Sequence, residues 1–118
     1  MGDDHIVKAS DFLAVKHGGR GWANRLAVVR TKLSGMPTSR VGFSVGRQVG
    51  NAVVRNRVKR RLREVVRQSS LQGGWDMVLI ARAPAAQAGF WELQGAVLNL
   101  LRRANVTGAS MEKHDKKR

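Results

Sequence analysis

The chain has 118 residues, a length that favours one compact domain with a modest core. It contains no cysteine, which excludes disulfides and thiolate metal sites, and 22 basic against 8 acidic residues give a formal charge of +14. A charge of one sign repels itself unless a polyanion neutralises it, so we expect nucleic acid as the partner, with membrane phosphates as the alternative. No apolar run is long enough to span a bilayer and no signal-like stretch is present, so we expect a cytoplasmic protein.

The first predicted elements are a short helix and two strands. Ser10 is typical of a helix start and Gly18-Gly19 of a helix end, which predicts a helix over residues 11–17. β-branched and apolar residues then predict strands over residues 26–33 and 40–45, separated by a turn rich in serine, glycine and proline. We expect these two strands to pair in an antiparallel manner.

The second of these strands alternates between apolar and small residues. Val41 and the apolar residues at every second position after it point to one face, whereas Gly42, Ser44 and Gly46 point to the other. A nearly bare face fits tight packing against another element. It equally fits a ligand whose backbone lies close to the sheet, with Ser44 as a donor and Arg47 at the rim. The sequence leaves both interpretations open.

Two longer helices and a buried strand follow. The turn at Gly50-Asn51 precedes a helix that we expect to end near residue 69. The continuous apolar run MVLIA within residues 76–82 is typical of a central strand. From Phe90, apolar residues three and four positions apart predict an amphipathic helix to about residue 105. The order predicts an α+β sandwich whose helices cover one face of a small sheet, with possible extra strand pairing around residues 46–50.

The segment RNRVKRRLREVVR, residues 55–67, combines a helical apolar stripe with dense positive charge. At about 100° per residue, its aliphatic side chains and the valine before them span about 120°, enough to dock on a sheet. The residues opposite this stripe are Asn56, Arg60, Arg63 and Arg67, and those at its borders are Arg55, Arg57, Lys59 and Arg61. An ordinary solvated face would mix charge signs, so we expect phosphates to contact this one.

Arginine suits bidentate phosphate contacts, and Asn56 could bond a sugar hydroxyl or a base edge, or could act as a local helix cap. Calmodulin targets and membrane-surface helices are also basic and amphipathic. A membrane helix, however, favours bulky aromatics on its apolar face, whereas this stripe is made of valine and leucine, which dock on a sheet.

Residues capable of acid–base or metal chemistry are scattered. His5, His17 and His114 are far apart in the sequence, and Asp3 with Asp4 lies near the N-terminus. None of these has a metal-ligand or acid–base spacing. We therefore expect no catalytic residue and no metal site in the protein itself.

The run VGFSVGRQVGNAVVRNRVKRRLREVVR, followed by WDMVLIAR, resembles the protein subunit of bacterial ribonuclease P. The RNR signature of that family stands at Arg55-Asn56-Arg57, preceded by Gly50-Asn51-Ala52-Val53. Asp11-Phe12 and Ala23-Asn24-Arg25 match the N-terminal part of the family pattern. The likeness covers about residues 10–104.

The resemblance implies a two-layer α/β sandwich with a small, mostly antiparallel sheet and a left-handed βαβ crossover, against the usual right-handed preference. It implies a subunit that binds the catalytic RNA and the 5′ leader of precursor tRNA and assists endonucleolytic removal of that leader. The RNA would carry the catalysis and hold most of the magnesium. The domain limits we expect are a flexible N-terminus over 1–9, an RNA-binding domain over 10–105 and a disordered basic tail over 106–118.

The resemblance also implies site residues by position. The expected contacts to the RNA subunit are Arg55, Asn56, Arg57, Lys59, Arg60, Arg63 and Arg67. The expected leader contacts are Phe12, which would stack on a base, with Lys16, Arg30, Ser44 and Arg47.

The chain departs from the family pattern at the leader site. Lys16 and Arg30 replace aromatics that the family often has, and Gly46-Arg47-Gln48 replaces a serine-lysine-lysine, so charge would hold the leader more than stacking. The alternative functions are a general RNA-binding or RNA-chaperone module and a basic peripheral membrane protein.

Overall fold

The computed structural model describes residues 4–5, 14–15 and 18–107 of the chain. The strands are β1 (Asp4–His5), β2 (Arg20–Ala23), β3 (Ala27–Leu33), β4 (Arg40–Ser44) and β5 (Trp75–Ala81). The helices are α1 (Ala52–Gln68) and α2 (Phe90–Arg103), with a short 3-10 helix at Ala83–Ala86. Ala14, Val15 and Gly18 are also helical, and the other residues of the helix predicted over 11–17 lie outside the described residues.

The strands form one mixed sheet in the order β1-β4-β5-β3-β2. β4 is parallel to β5 and to β1, whereas β3 is antiparallel to β5 and to β2. The predicted pairing of β3 with β4 is therefore wrong, because β5 lies between them. The apolar run of β5 explains its place, since only a central strand buries both of its faces. Parallel neighbours need a long crossover, and α1 provides it between β4 and β5.

The predicted α+β class is confirmed, and two details of the strand prediction change. β2 is a four-residue edge strand, which is not among the strands predicted above. Residues 46–50 form turns instead of an extra strand, since Val49 N–H donates to the Gly46 carbonyl at 3.1 Å and Gly50 N–H to the Arg47 carbonyl at 3.2 Å. These turns connect β4 to α1.

The main core lies between one face of the sheet and the two helices. Val58 and Leu62 of α1, Leu93 of α2, and Met77 and Leu79 of β5 belong to one buried apolar cluster. Burying each such side chain contributes about 1.5–3 kcal/mol. This packing fixes α1 on the sheet along its length.

A second, smaller apolar contact lies on the opposite face of the sheet. Val15 is buried there with Val78, and Ile80 packs against the pair. Gly19 lies four residues further along the chain than Val15, and a Cβ on this residue would collide with the Thr31 carbonyl oxygen. The chain before β2 therefore covers part of the face opposite the helices.

The described fold reaches slightly beyond the predicted domain limits. Within the segment predicted as flexible, Asp4–His5 pairs with β4. Val106 and Thr107 are buried, and Thr107 forms a bridge with Leu71, so the fold continues past residue 105. The rest of 1–9 and of the predicted tail lies outside the described residues. Neither α1 nor α2 has the length and apolar character that crossing a membrane requires, and the same holds for every other helix described.

Candidate nucleic-acid interface

The start of α1 is fixed by two adjacent residues. The side-chain oxygen of Asn51 accepts a hydrogen bond from the Val54 backbone N–H at 3.0 Å, which caps the helix. Gly50 has φ +155°, and a Cβ there would lie 2.9 Å from the Val54 side chain, so the turn requires glycine. Because Asn51 is the cap, Asn56 does not have that role and is exposed on the helix surface.

The two faces of α1 differ in burial as its periodicity predicts. Val58, Leu62, Val65 and Val66 are buried, so the predicted aliphatic stripe is the packed face. The predicted RNA contacts lie on the remaining surface, and we call them the α1 basic face: Arg55, Asn56, Arg57, Lys59, Arg60, Arg63 and Arg67. The exposed members are Asn56, Arg60, Arg63 and Arg67, whereas Arg55, Arg57 and Lys59 are half-buried.

Two arginines on one border of α1 are held by backbone carbonyls. Arg57 Nη2 donates to the Ala86 carbonyl oxygen and Arg61 Nη1 to the Ala88 carbonyl oxygen, each at 3.0 Å. These bonds tie α1 to the 3-10 helix and to the loop before α2. Both arginines lie at the predicted border of the stripe, and no local pattern in the sequence indicates their contact with these carbonyls.

Other members of the α1 basic face are held to different degrees. The Cζ atom of Arg63 lies 5.8 Å from the centre of the Phe43 ring, a cation–π contact with β4. Arg67 forms an ion pair with Glu64 at 2.6 Å. No hydrogen bond or ion pair holds the Arg60 side chain within the part of the chain that the structure describes. Because Arg60 is also exposed, its side chain can adapt to a ligand.

Glu64 is the only acidic residue of α1. Its carboxylate accepts hydrogen bonds from Arg67 and from Gln68, and the Arg67 hydrogen bond is the main cause that lowers the pKa of Glu64 below its usual value. Glu64 therefore stays ionised at neutral pH and offsets part of the charge at the C-terminal end of the α1 basic face.

The predicted leader contacts divide into described and undescribed residues. Arg30 is paired in register with Val78, and Ser44 with Ile80, so both lie on the sheet face that Val15 partly covers. Phe12 and Lys16 lie outside the described residues.

Each described leader residue has a defined place. Arg30 Nη2 donates to the Gly19 carbonyl oxygen at 2.6 Å, which fixes its guanidinium near the turn into β2. Ser44 is half-buried at the end of β4, and Arg47 is exposed in the turn after it. The contact between Val15 and Val78 buries part of this sheet face. The end of the face near Ser44 and Gly46 is partly accessible to solvent.

Metal-ligand geometry is not found in the described residues. No group of three or more histidine, aspartate or glutamate side chains within 4–5, 14–15 and 18–107 could hold a metal ion. The α1 basic face supplies positive charge and hydrogen-bond donors.

A family model described as Ribonuclease P matches residues 2–105. The ribonuclease P protein component of Dehalococcoides mccartyi is 38% identical over 114 residues, covering 97% of this chain and 95% of that protein. The corresponding protein of Roseiflexus castenholzii is 44% identical over 109 residues, covering 89% of each.

Solved structures agree with this match. The Staphylococcus aureus RNase P protein superimposes with a TM-score of 0.80 at 34% identity, covering 88% of this chain and 97% of that one. The Thermotoga maritima RNase P protein gives a TM-score of 0.77 at 33% identity, covering 85% and 96%. Sequence and fold agree, and the chain belongs to the ribonuclease P protein family.

Proposed function

We propose that this protein binds the catalytic RNA of ribonuclease P through the α1 basic face and, in that complex, helps to remove the 5′ leader of precursor tRNA. The observation that carries the proposal is the division of α1 into a buried aliphatic stripe and an opposite array of cationic side chains. Packing fixes the helix, so the array has a defined spacing before any ligand binds.

The energetic argument rests on charge repulsion along α1. Two like charges three or four positions apart destabilise a helix by about a few tenths of a kcal/mol. Two opposite charges at the same spacing would stabilise it by a similar amount. Phosphates arriving along the helix reverse the sign of the repulsive term. The bonds of Arg57 and Arg61 to the carbonyls of Ala86 and Ala88 support this role, since they orient two guanidinium groups at the border in advance.

The face opposite the helices supplies the proposed leader contacts. Arg30 and Ser44 share that face, and Arg47 lies in the turn beyond it. We assign the same role to Phe12 and Lys16 from the family pattern. A leader lying there would follow charged and hydroxyl groups more than stacked rings, since Arg30 stands where the family often has an aromatic.

The cleavage chemistry in this proposal belongs to the RNA. Magnesium would be held mainly by the RNA, as the resemblance to the family implies. The protein neutralises phosphates and holds the strand in place, and a role in tRNA maturation would place it in the cytoplasm.

Reconstituted cleavage tests the proposal. The protein is added to the cognate catalytic RNA and precursor tRNA at a magnesium concentration too low for the RNA alone, and release of the leader is followed on gels. We expect the wild type to restore cleavage and Arg60→Ala with Arg63→Ala to restore much less. Binding to every RNA offered without restored cleavage would contradict the proposal and favour a general RNA-binding module. Retention on anionic vesicles at physiological salt would favour a membrane protein instead.

A further inference from the structure

A cavity of about 530 Å³ lies between the end of the sheet and the C-terminus of α2. Its walls come from β2, β3, the start of β5 and the last turn of α2, and its lining includes Trp22, Leu33, Trp75 and Arg103. Sites for small organic ligands have volumes of about 300–1,000 Å³. The cavity is therefore large enough for one.

The lining combines aromatic surface with positive charge. Trp22 and Trp75 are half-buried, and the Cζ atom of Arg20 lies 5.4 Å from the centre of the Trp22 ring. Lys32 and Arg103 add two more cationic groups, and no aspartate or glutamate is among the described residues that line the cavity. A ligand complementary to this lining has a flat apolar part and an anionic part.

One of the cationic groups is held in position. Arg103 Nη1 donates to the Ala23 carbonyl oxygen at 3.1 Å, which fixes its guanidinium beside β2. Arg20, by contrast, is exposed, and its contact with the Trp22 ring places its guanidinium at the aromatic part of the lining.

The cavity is separate from the α1 basic face. None of its lining residues belongs to α1, and the bonds of Arg57 and Arg61 to Ala86 and Ala88 lie just before the N-terminus of α2. A helix of this length spans about 20 Å from that end to the cavity. A ligand in the cavity would not compete for the arginines of α1.

We propose that this cavity binds a nucleotide, with the base against the indole rings of Trp22 and Trp75 and the phosphate bound by Arg20 and Arg103. Bases stack on aromatic side chains whatever their sequence, and guanidinium groups bind phosphate with strong hydrogen bonds. A free mononucleotide and an unpaired nucleotide of an RNA strand share this chemistry. The site goes beyond the proposed function, in which none of these four residues takes part.

Tryptophan fluorescence can report binding at this site. Trp91 is 76% exposed, so Trp91→Phe removes the third indole with little effect on packing and leaves Trp22 and Trp75 as reporters. The full chain with this change is titrated with adenosine monophosphate and, separately, with a short single-stranded oligoadenylate. We expect saturable quenching, weakened about fivefold or more by Arg20→Glu, because that change reverses a charge at the phosphate position. Circular dichroism checks that the Arg20→Glu protein is folded.

Arg60→Glu is the matched control, because it makes the same charge change on the α1 basic face. It should leave the quenching unchanged while weakening binding of the catalytic RNA. The two measurements therefore distinguish a cavity that does not bind nucleotide from an α1 basic face that does not bind the catalytic RNA. Quenching by the mononucleotide identifies a free nucleotide as a ligand, and quenching by the oligonucleotide alone identifies an unpaired strand. No saturable quenching with either probe, or equal affinities for wild-type and Arg20→Glu proteins, would overturn the proposal.

Discussion

Arg57 donates a hydrogen bond to the Ala86 carbonyl oxygen at 3.0 Å, so a residue of the RNR signature also holds α1 against the 3-10 helix. Arg60, one turn away on the same helix, is exposed. Two arginines of the α1 basic face thus differ in what they contribute to the free protein.

This difference predicts separable effects of two alanine substitutions. Arg57→Ala should lower the free energy of unfolding by about 1 kcal/mol, because it removes a partly buried hydrogen bond, and should also weaken RNA binding. Arg60→Ala should weaken RNA binding alone and reduce the slope of log affinity against log salt by about one. Urea unfolding and RNA binding at several salt concentrations measure the two effects. Equal loss of stability in both variants would contradict the distinction.

Glu64→Gln should strengthen RNA binding. The substitution removes the only acid of α1 and its ion pair with Arg67, which raises the net charge of the helix by one, so the salt slope should become steeper by about one. The pKa of Glu64 is lowered, so its ion pair with Arg67 is complete above the ordinary value of 4.5 and is lost only as the pH falls through the lowered value. The gain should therefore be fully present at neutral pH.

Glu92→Gln is the control for that experiment, since it makes the same charge change on α2, where Glu92 is paired with Arg25. It should alter the salt slope much less than Glu64→Gln does. If both variants gained affinity equally, the effect would reflect net charge and not the position of Glu64 on the α1 basic face.

Leu62→Ala should destabilise the fold by about 2–5 kcal/mol, because Leu62 is fully buried between α1 and the sheet and alanine would leave a cavity. Val53→Ala is the matched control on the same helix, where the side chain is 74% exposed, and should cost less than about 0.5 kcal/mol. Urea unfolding compares the two. A small cost at Leu62 would mean that the aliphatic stripe does not anchor α1.

Asp76→Ala should cost about 1–3 kcal/mol in the free energy of unfolding. Its carboxylate accepts hydrogen bonds from Arg40 Nε at 3.0 Å and Arg40 Nη2 at 2.8 Å, a bidentate pair that joins the parallel strands β4 and β5. The Asp76 side chain is only 14% exposed. Glu92→Ala breaks a pair with exposures of 65% and 52%, and should cost less than about 1 kcal/mol. Equal costs in thermal or urea unfolding would contradict the role of burial.

The sequence predicted α1, α2 and the central strand well, because each has an apolar pattern that only one kind of packing satisfies. The stripe of α1 and the continuous apolar run of β5 are examples, and both lie where their patterns require. The order of the strands in the sheet was predicted less well. Two strands joined by a short turn can pair directly as a hairpin, but a third strand can also lie between them in the sheet. β5 lies between β3 and β4 because its two apolar faces both need cover.

Features missed in the sequence depend on tertiary contacts. β2 has only four residues and an exposed pattern, so its strand character comes from pairing with β3. The bonds of Arg57 and Arg61 to the carbonyls of Ala86 and Ala88 join segments far apart in the chain and leave no local signal. The cavity could have been suspected only from its two tryptophans, in a chain with 3 tryptophans and no tyrosine.

The most direct test of the central claim, that the α1 basic face contacts the catalytic RNA, uses the absence of cysteine from the chain. A hydroxyl-radical source is attached to a single introduced cysteine, Arg60→Cys on α1 or Arg82→Cys after β5, and the assembled RNA is mapped for cleavage. Both positions are exposed arginines, so the two proteins carry the same charge change. We predict strong cleavage at a few discrete RNA positions from position 60 and weak cleavage from position 82. Equal cleavage from both positions, or none from position 60 in a complex that has formed, would contradict the account.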